Sequence, residues 1–319
     1  MDPTNDRARI AFVTTPKCRD THSDQIEDFI QRYLHLVSSF SEILVTGGTY
    51  SFVMNMLDRL PSEAACGNPT ASNLAGAHHL DLRQQFERTL VQMLPNLQGM
   101  IEIGYELVEG RLDAMIHLSD WEDISAKPDS AALRRQANVH NVPIASDIHS
   151  ARAFVEAWIS DIKSGCTLVR QKRLAAGDSP LTGIQPSDSV IAMVAHDNMK
   201  LELCRFAVRH ATEIFDRFDF VLATGTTGKW LKRFMEAAGR TREEVDRIRC
   251  CLSGPYGGDL QIAYAVVKEL CRKVIFLQDP LISHPHHSDI SLFEQAVVAH
   301  TLKVELATNS RSAEFVLAS

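Results

Sequence analysis

The sequence predicts an α/β protein with two tandem doubly wound parallel-sheet domains. Short apolar runs alternate with amphipathic helical patterns along most of the chain, which is typical of parallel strands joined by helices. Four apolar runs of the first half are answered in the same order by four runs of the second half, which indicates one α/β unit present twice. The length of 319 residues leaves room for two domains of ordinary size.

Composition and charge restrict the class of protein. Hydrophobic residues make up 45% of the chain, and the net charge is -7. This charge argues against nucleic acid as a partner, because phosphate backbones are bound by concentrated positive charge. No signal-peptide core or membrane-length apolar run is present, and the seven cysteines lack metal-ligand spacing. We therefore expect a cytoplasmic protein that binds neither nucleic acid nor membrane.

The first half begins with the apolar run Ile10–Val13, followed by a helical pattern from about Ser23 to Phe40. A second run, Ile43–Val45, ends in the turn Thr46–Thr49 and leads into another helix. The remaining predictions for this half are, in order, a surface insertion up to about His79, the strand Ala114–Leu118, the helix Asp129–His140, the strand Val142–Ala145 and the helix Ser150–Trp158.

The second half starts the pattern again at Ser189. The predicted strands that match those of the first half are Val190–Val194 and the runs that begin at Phe220, Val274 and Val304. Between the halves the composition shifts toward basic residues, Gly, Pro and Ser. We therefore divide the chain into a first domain at 1–160, a linker at 161–188 and a second domain at 189–319.

Polar loops follow the strands of the second half, where ligands of doubly wound sheets bind. The most distinctive loop is Ser253–Asp259, whose glycines allow close approach to an anion and whose carboxylate lies near a helix N-terminus. The turn Thr224–Gly228 offers three hydroxyls and a helix start, and Lys200 follows the pair His196-Asp197 by less than one helical turn. Each of these loops alone is also consistent with an ordinary capped turn.

A third group of polar residues follows the strand from Val274. It consists of Asp279-Pro280 and the segment His284–Asp289. A histidine just before an aspartate at a helix start can be held in one tautomer for proton transfer. Two alternatives remain open, because these histidines could form a solvated loop or could ligate a transition metal together with His196.

Taken together, these motifs resemble those of methylglyoxal synthase over the region from Ser189 to the C-terminus. The resemblance implies a carbon–oxygen lyase that converts dihydroxyacetone phosphate to methylglyoxal and inorganic phosphate without cofactor or metal. It implies catalytic roles for Asp259 as base and for His286 with Asp289. The substrate-binding residues that it implies are His196, Lys200, Thr224, Gly225, Thr226, Thr227, Ser253 and Gly254, with Asp197 and Asp279 in support.

The first half resembles the same fold with its site motifs altered. Thr15–Cys18 replaces the His-Asp pair and the lysine, the threonine-rich turn is reduced to Thr46–Thr49, and Gly99–Gly104 lies near the place of the glycine-rich loop. We therefore expect a non-catalytic first domain that is structural or regulatory. The resemblance also implies a homo-oligomer, with a trimer favoured over a dimer, and inorganic phosphate as product and possible inhibitor. The alternative hypothesis is a phosphate- or metabolite-sensing protein of this fold without turnover.

Overall fold

A computed structural model describes residues 7–59, 83–120, 128–164, 179–281, 287–298 and 304–319. The chain divides into two compact units, residues 1–173 and residues 174–319. Each unit contains one five-stranded sheet whose paired neighbours are all parallel. The predicted fold class, two doubly wound parallel sheets in tandem, is confirmed.

The first unit has its central strand at the start of the chain. Strand order in its sheet is β3-β2-β1-β4-β5. Its strands are β1 (Ala8–Thr14), β2 (Phe40–Val45), β3 (Leu90–Gln92), β4 (Ala114–Leu118) and β5 (Ile144–Ala145). Its helices include α1 (Pro16–Tyr33), α2 (Gly47–Arg59), α3 (Asn96–Val108), α4 (Pro128–Val139) and α5 (Ile148–Ser164).

The second unit repeats this arrangement, with the order β10-β9-β6-β7-β8. When the strands of each unit are counted along the chain, both orders read 3-2-1-4-5. Its strands are β6 (Val190–Ala195), β7 (Phe220–Ala223), β8 (Ile248–Cys250), β9 (Lys273–Leu277) and β10 (Glu305–Ala307). Its helices include α6 (Lys200–Arg209), α7 (Ala211–Arg217), α8 (Gly225–Ala237), α9 (Arg242–Asp246), α10 (Gly258–Val267), α11 (His287–Val298) and α12 (Ser310–Ala318).

The inner strands β4 and β6 are apolar except for His117 of β4, which is fully buried. All six residues of β6 and all five of β4 are buried. A strand that is buried on both sides has no polar face, so its sequence is a continuous apolar run rather than an alternation. This is why the short runs at Val190 and Ala114 predict parallel strands.

The first helix begins earlier than the sequence predicts. It starts at Pro16, before the predicted start at Ser23, and a 3-10 turn covers Leu34–Ser39. The hydroxyl oxygen of Thr15 accepts from the N–H of Cys18, and proline at the first helical position has no N–H to lose. The cap therefore starts the helix, although the apolar periodicity begins only after a bend at His22.

The segment between the two sheets is helical at its start. The helix α5 continues to Ser164, inside the predicted linker. At the other side, Leu181 and Ile184 are buried before the second sheet begins. Within the described residues, no helix is both long enough and apolar enough to cross a membrane.

The central strand β6 marks a topological switch point, because β7 lies on one side of it and β9 on the other. The chain connections to the strands on the two sides of β6 run in opposite directions from this point and leave a crevice at the carboxyl ends of the strands. The loops after β6, β7 and β8 and the start of α10 therefore meet at one edge of the sheet.

A close backbone approach holds the loop after β8 at this edge. A Cβ atom placed on Gly258 would lie 1.8 Å from the carbonyl oxygen of Leu252, so only glycine fits there. The preceding residue, Gly257, has a φ of 97°, a left-handed conformation that glycine adopts without strain. These two glycines allow the chain to turn directly from the strand end into α10.

We expect Gly258→Ala to lower the free energy of unfolding of the second unit by about 1–3 kcal/mol and also to weaken binding of inorganic phosphate, because the added methyl group must displace the loop. Urea denaturation followed by phosphate titration measures both effects. The control is Gly239→Ala, just after the C-terminal end of α8. Gly239 also has a left-handed backbone, but a Cβ atom there would contact nothing within the described residues. The control should lower stability and leave phosphate binding unchanged. Wild-type stability of the Gly258→Ala protein would contradict the prediction.

Candidate active site

A cavity of about 190 Å³ lies at the switch point of the second unit. Its walls come from the end of β6, the turn after β7, the loop after β8 and the helices α10 and α11. The lining residues are Val194, Ala195, His196, Asp197, Lys200, Thr224, Thr226, Ser253, Gly254, Pro255, Asp259, Phe276 and Ile290. The predicted loops after β6, β7 and β8 therefore come together around one small space.

Asp259 enters the cavity from the first turn of α10. Its side chain is 5% exposed, and it is the only acidic residue of that helix. The helix N-terminus favours the ionised carboxylate, since unpaired N–H groups there carry partial positive charge. A carboxylate held in a mostly buried cavity is suited to taking a proton from a bound molecule.

Two positions after Asp259, the buried side chain of Gln261 connects the helix α10 to the strand end. The N–H of Leu252 donates to Oε1 of Gln261 over 2.7 Å. The carbonyl of Ser253 accepts from the N–H of Gly258 at 3.1 Å, which closes the loop on itself. The loop is thus fixed at both ends, and Gln261 has no motif that identifies it from the sequence.

The turn after β7 supplies one hydroxyl group that is exposed at the cavity and one that is buried behind it. Thr226 is exposed to the cavity, whereas Thr227 is fully buried. The hydroxyl of Thr224 donates to that of Thr227 over 3.1 Å, so Thr227 supports its neighbour from behind. Gly225 also lies behind the surface, and its N–H donates to the carbonyl of Leu252. Two of the predicted binding residues, Gly225 and Thr227, are therefore absent from the cavity lining.

The tautomer of His196 follows from one backbone contact. The N–H of Asp279 donates to Nδ1 of His196 at 2.9 Å, so in the neutral ring the proton lies on Nε2. The side chain of Asn198 donates to a carboxylate oxygen of Asp279 at 2.9 Å. Asp279 therefore orients the ring from outside the cavity lining, and its supporting role in the site remains a prediction.

Lys200 supplies positive charge to the cavity. Its side chain is 11% exposed, and its ammonium pairs with the carboxylate of Asp197, which is itself exposed. The apolar stem packs at the start of α6 while the ammonium lies at the cavity wall. A flexible ammonium of this kind binds a phosphate as a point charge.

The third predicted group is only partly within the described residues. Asp289 is fully buried in the first turn of α11, and Ile290 rather than Asp289 lines the cavity. His284 and His286 lie outside the described residues, so the predicted catalytic role of His286 remains a prediction. In the described part of the chain, no group of three or more His, Cys, Asp or Glu side chains is placed to hold a metal ion.

The cysteines near the second sheet are not suited to act as nucleophiles, and none of them lines the cavity. Cys250 ends β8 just before the loop, and burial raises the pKa of its thiol above the ordinary value. Burial also raises the pKa of Cys204 to about 11 and that of Cys271 to about 12. Protonated thiols are poor nucleophiles, and these side chains act as small hydrophobic groups.

The first unit keeps the threonine pair and the glycine approach. The hydroxyls of Thr46 and Thr49 are 3.0 Å apart, and both side chains are buried. A Cβ on Gly99 would lie 2.1 Å from the carbonyl oxygen of Leu94, as Gly258 does with respect to Leu252. Gly99 is thus the counterpart of Gly258, at a separation of 159 positions.

This correspondence shows what differs in the first unit. The residue after Gly99 is Met100, which is buried where the second unit has Asp259. The same separation of 159 positions relates β4 to β9 and α4 to α11, and it pairs buried Ser130 with Asp289. It also pairs Lys127 with His286, both outside the described residues.

The first unit keeps a cation, which the sequence comparison of the loops missed. The N–H of Thr15 donates to Leu118 over 3.0 Å, as that of His196 donates to Leu277. Four residues after Thr15 comes Arg19, at the place that Lys200 has after His196. Arg19, rather than a residue of the segment Thr15–Cys18, therefore has the position in the first unit that Lys200 has in the second. Counting from the strand end, rather than matching residue types, would have found Arg19.

Fold and cavity together define a doubly wound α/β protein with a small cavity, lined by polar and charged side chains, at the carboxyl edge of one sheet. Over 128 residues, 40% of its length, the chain is 41% identical to methylglyoxal synthase from Thermus thermophilus and covers 91% of that protein. Over 129 residues it is 40% identical to methylglyoxal synthase from Cupriavidus pinatubonensis and covers 88% of it. The chain belongs to the methylglyoxal synthase family.

A solved structure gives a further comparison. The crystal structure of methylglyoxal synthase from Elizabethkingia anophelis matches with 33% identity and a TM-score of 0.35, over 41% of this chain and 78% of that one. No family model matches the chain.

We expect Lys200→Met to weaken binding of inorganic phosphate about 10- to 100-fold, which is the usual worth of a charge-assisted hydrogen bond. Calorimetric titration at low ionic strength measures the change. The matched control is Lys229→Met, which removes an exposed lysine of α8 outside the cavity lining and should leave the affinity within about twofold. Equal phosphate affinity in wild type and Lys200→Met would exclude Lys200 as an anion ligand.

Proposed function

We propose that the chain is a methylglyoxal synthase, a carbon–oxygen lyase that converts dihydroxyacetone phosphate to methylglyoxal and inorganic phosphate. The observation that carries the proposal is the placement of Asp259 and Lys200 in one small cavity with hydroxyls from two loops. A base and a phosphate-binding wall are the two requirements of this reaction. The named activity of the family members supports the assignment.

The first step of the proposed reaction is proton transfer. Asp259 takes a proton from the hydroxymethyl carbon next to the ketone, and the electron pair moves toward the carbonyl oxygen to form an enediolate. Hydrogen-bond donors aimed at this oxygen lower the barrier, because charge develops there in the transition state. His196 carries its ring proton on Nε2 and is our described candidate for a donor. His286, oriented by Asp289, is the second.

The second step breaks the bond between carbon and the phosphate oxygen. The hydroxyl group of the enediolate passes its proton to the neighbouring enolate oxygen, and the electron pair left behind forms the aldehyde while the double bond shifts and inorganic phosphate leaves. The remaining enol takes up a proton on its terminal carbon and loses its hydroxyl proton, which gives methylglyoxal. Lys200, Thr224, Thr226, Ser253 and Gly254 form the wall that would hold the phosphate. Charge from the ammonium and neutral hydroxyl donors stabilises the leaving dianion without a metal.

We assign the activity to the second unit. The polar loop residues of the proposed site that lie within the described residues all belong to that unit. We propose that the first unit does not catalyse the reaction, since Met100 cannot take a proton and Ser130 replaces the buried Asp289. In this proposal, residues 1–160 form an altered copy that is structural or regulatory, 161–188 connect the copies, and 189–319 are catalytic.

We further propose a cytoplasmic homo-oligomer that inorganic phosphate inhibits as a product. A second unit that needs partners for its sheet edges can obtain them from other copies of the chain. Incubation of purified protein with dihydroxyacetone phosphate, with methylglyoxal and phosphate measured together, tests the activity. Equimolar release of both supports it, whereas phosphate binding without release of either product would favour the sensing alternative.

We expect Asp259→Asn to lower kcat about 10²- to 10⁴-fold, the usual contribution of a general base. Its affinity for inorganic phosphate should be equal to or tighter than that of the wild type, since removal of a base acts on the transition state and removes a negative charge. Steady-state kinetics and calorimetry give the two values. Unchanged turnover would transfer the base role to Asp289.

The control for this variant is Asp120→Asn in the first unit. Asp120 is buried at the place that Asp279 has in the second unit, at the same separation of 159 positions. Turnover should stay within about twofold of wild type, the range expected for a change outside the reacting site. A loss equal to that of Asp259→Asn would mean that the first unit takes part in catalysis.

We expect activity to survive exhaustive treatment with a chelator, because hydroxyl, ammonium, imidazole and backbone N–H groups supply every proposed contact to the substrate. Turnover is measured before and after treatment with EDTA and after dialysis. Loss of turnover that added zinc restores would instead favour the histidine segment with His196 as a metal site.

A further inference from the structure

The side chain of Gln261 makes a contact that no step of the proposed reaction uses. It is 3% exposed and accepts the N–H of Leu252 at 2.7 Å. This bond runs from α10 to the residue that begins the loop before Asp259. The loop ends at Gly258, so the bond fixes the distance between the start of the loop and the helix that carries the carboxylate.

The first unit makes the same contact with a charged residue. The N–H of Leu94 donates to Oε2 of Glu102 at 2.6 Å, and Glu102 is 5% exposed. Glu102 follows Gly99 by three positions, as Gln261 follows Gly258. The two units therefore hold the strand end with the same kind of hydrogen bond, which spans eight positions in the first unit and nine in the second, but with an acceptor of different type.

The two units differ both in the charge of this acceptor and in the residue two positions before it. Where that residue is Met100, the acceptor is a carboxylate, and where it is Asp259, the acceptor is a neutral amide. A backbone N–H is satisfied by either oxygen, and a carboxylate accepts more strongly than an amide. The weaker acceptor thus occurs in the unit that carries the candidate base, where a second buried carboxylate would repel the first.

We propose that Gln261 is a positioning residue for Asp259. It holds the loop as Glu102 does in the first unit, but with a neutral amide in place of a carboxylate two positions from the base. The part of this inference that concerns turnover rests on the proposed function. Its geometric part concerns only Asp259, Gln261 and the loop between them.

Other charged groups also face Asp259. His196, Lys200 and Asp197 line the same cavity from the β6 side, and Asp289 is buried in α11, which packs against α10. Lys200 favours the charged carboxylate and the two aspartates oppose it. These groups are the same in the wild type and in a Gln261 variant, so a difference between the two proteins reports the effect of residue 261.

The test compares Gln261→Glu with the wild type in two independent measurements. We expect the apparent pKa of Asp259, followed by NMR of carboxyl-labelled aspartate and assigned with Asp259→Asn, to rise by about one unit, as for a nearby like charge. The acidic limb of kcat/KM should move to higher pH by the same amount, so activity falls about tenfold below the limb and little on the plateau. Thermal stability should be close to that of the wild type below the acidic limb, where the carboxyl groups are protonated, and lower at neutral pH, where the two carboxylates repel each other.

A second variant, Gln261→Met, removes the acceptor and keeps the volume. We expect kcat to fall at least about tenfold at all pH values, with no movement of the acidic limb, because the N–H of Leu252 loses its partner and the loop shifts. The control is Glu102→Gln, the reverse exchange in the first unit, which should change neither turnover nor the pH profile. A structural role alone would lower stability in Gln261→Met without moving the acidic limb in Gln261→Glu.

An unchanged titration of Asp259 in Gln261→Glu would overturn the inference, whether or not the protein turns over substrate. If the wild type has no activity but the NMR titration moves, the proposed function fails and the positioning role stands. If the wild type is active and both the titration and the acidic limb remain in place, the positioning role fails and the proposed function stands.

Discussion

The close approach of a glycine to a strand-end carbonyl is the constraint on which the candidate site depends. With a Cβ atom only 1.8 Å from the oxygen of Leu252, any residue except Gly258 would push the start of α10 away from β8. The position of Asp259 follows from this contact, because it is the next residue in the helix. The cavity then has a carboxylate on one wall and the ammonium of Lys200 on another.

The first unit has the same constraint at Gly99 but carries different chemistry. The scaffold contacts are retained, namely the glycine approach, the threonine pair and the side-chain acceptor for the strand-end N–H. The group that would react is replaced by Met100. The retained contacts and the replaced side chain indicate that packing in this fold depends on the residues that hold the loops in place. Reactivity depends instead on the one or two side chains that point into the cavity.

The sequence predicted the fold well because the signals for parallel strands are local. A run such as Val190–Val194 is buried from end to end, and its apolar character shows this without knowledge of its neighbours. The start of α1 was predicted wrongly because the cap at Thr15 and Pro16 precedes the amphipathic stretch. Glycine and hydroxyl residues likewise identified the loops that line the cavity.

Features that depend on contacts across the sheet were not predicted. Arg19 occupies the place of Lys200 only when positions are counted from the paired strand end, which requires the register of β1 with β4. Gln261 carries no motif, since its role is one hydrogen bond to a backbone group nine positions earlier in the chain. The division of the threonine turn into exposed Thr226 and buried Thr227 depends on how the helix packs, which residue types alone do not reveal.

The strand order also has a consequence for synthesis on the ribosome. In each unit the first strand made is the central one, and it pairs with the fourth strand, so the N–H of Arg9 reaches the carboxylate of Asp113 across 104 positions. Long-range pairing of this kind is slow, and the opening strand stays half-paired until the fourth has emerged. All five strands of the first sheet nevertheless precede β6, so that sheet has all its strands before the second begins. The nascent chain can therefore fold its two sheets one after the other. The apolar central strands of the two units, β1 and β6, are then not left unpaired at the same time.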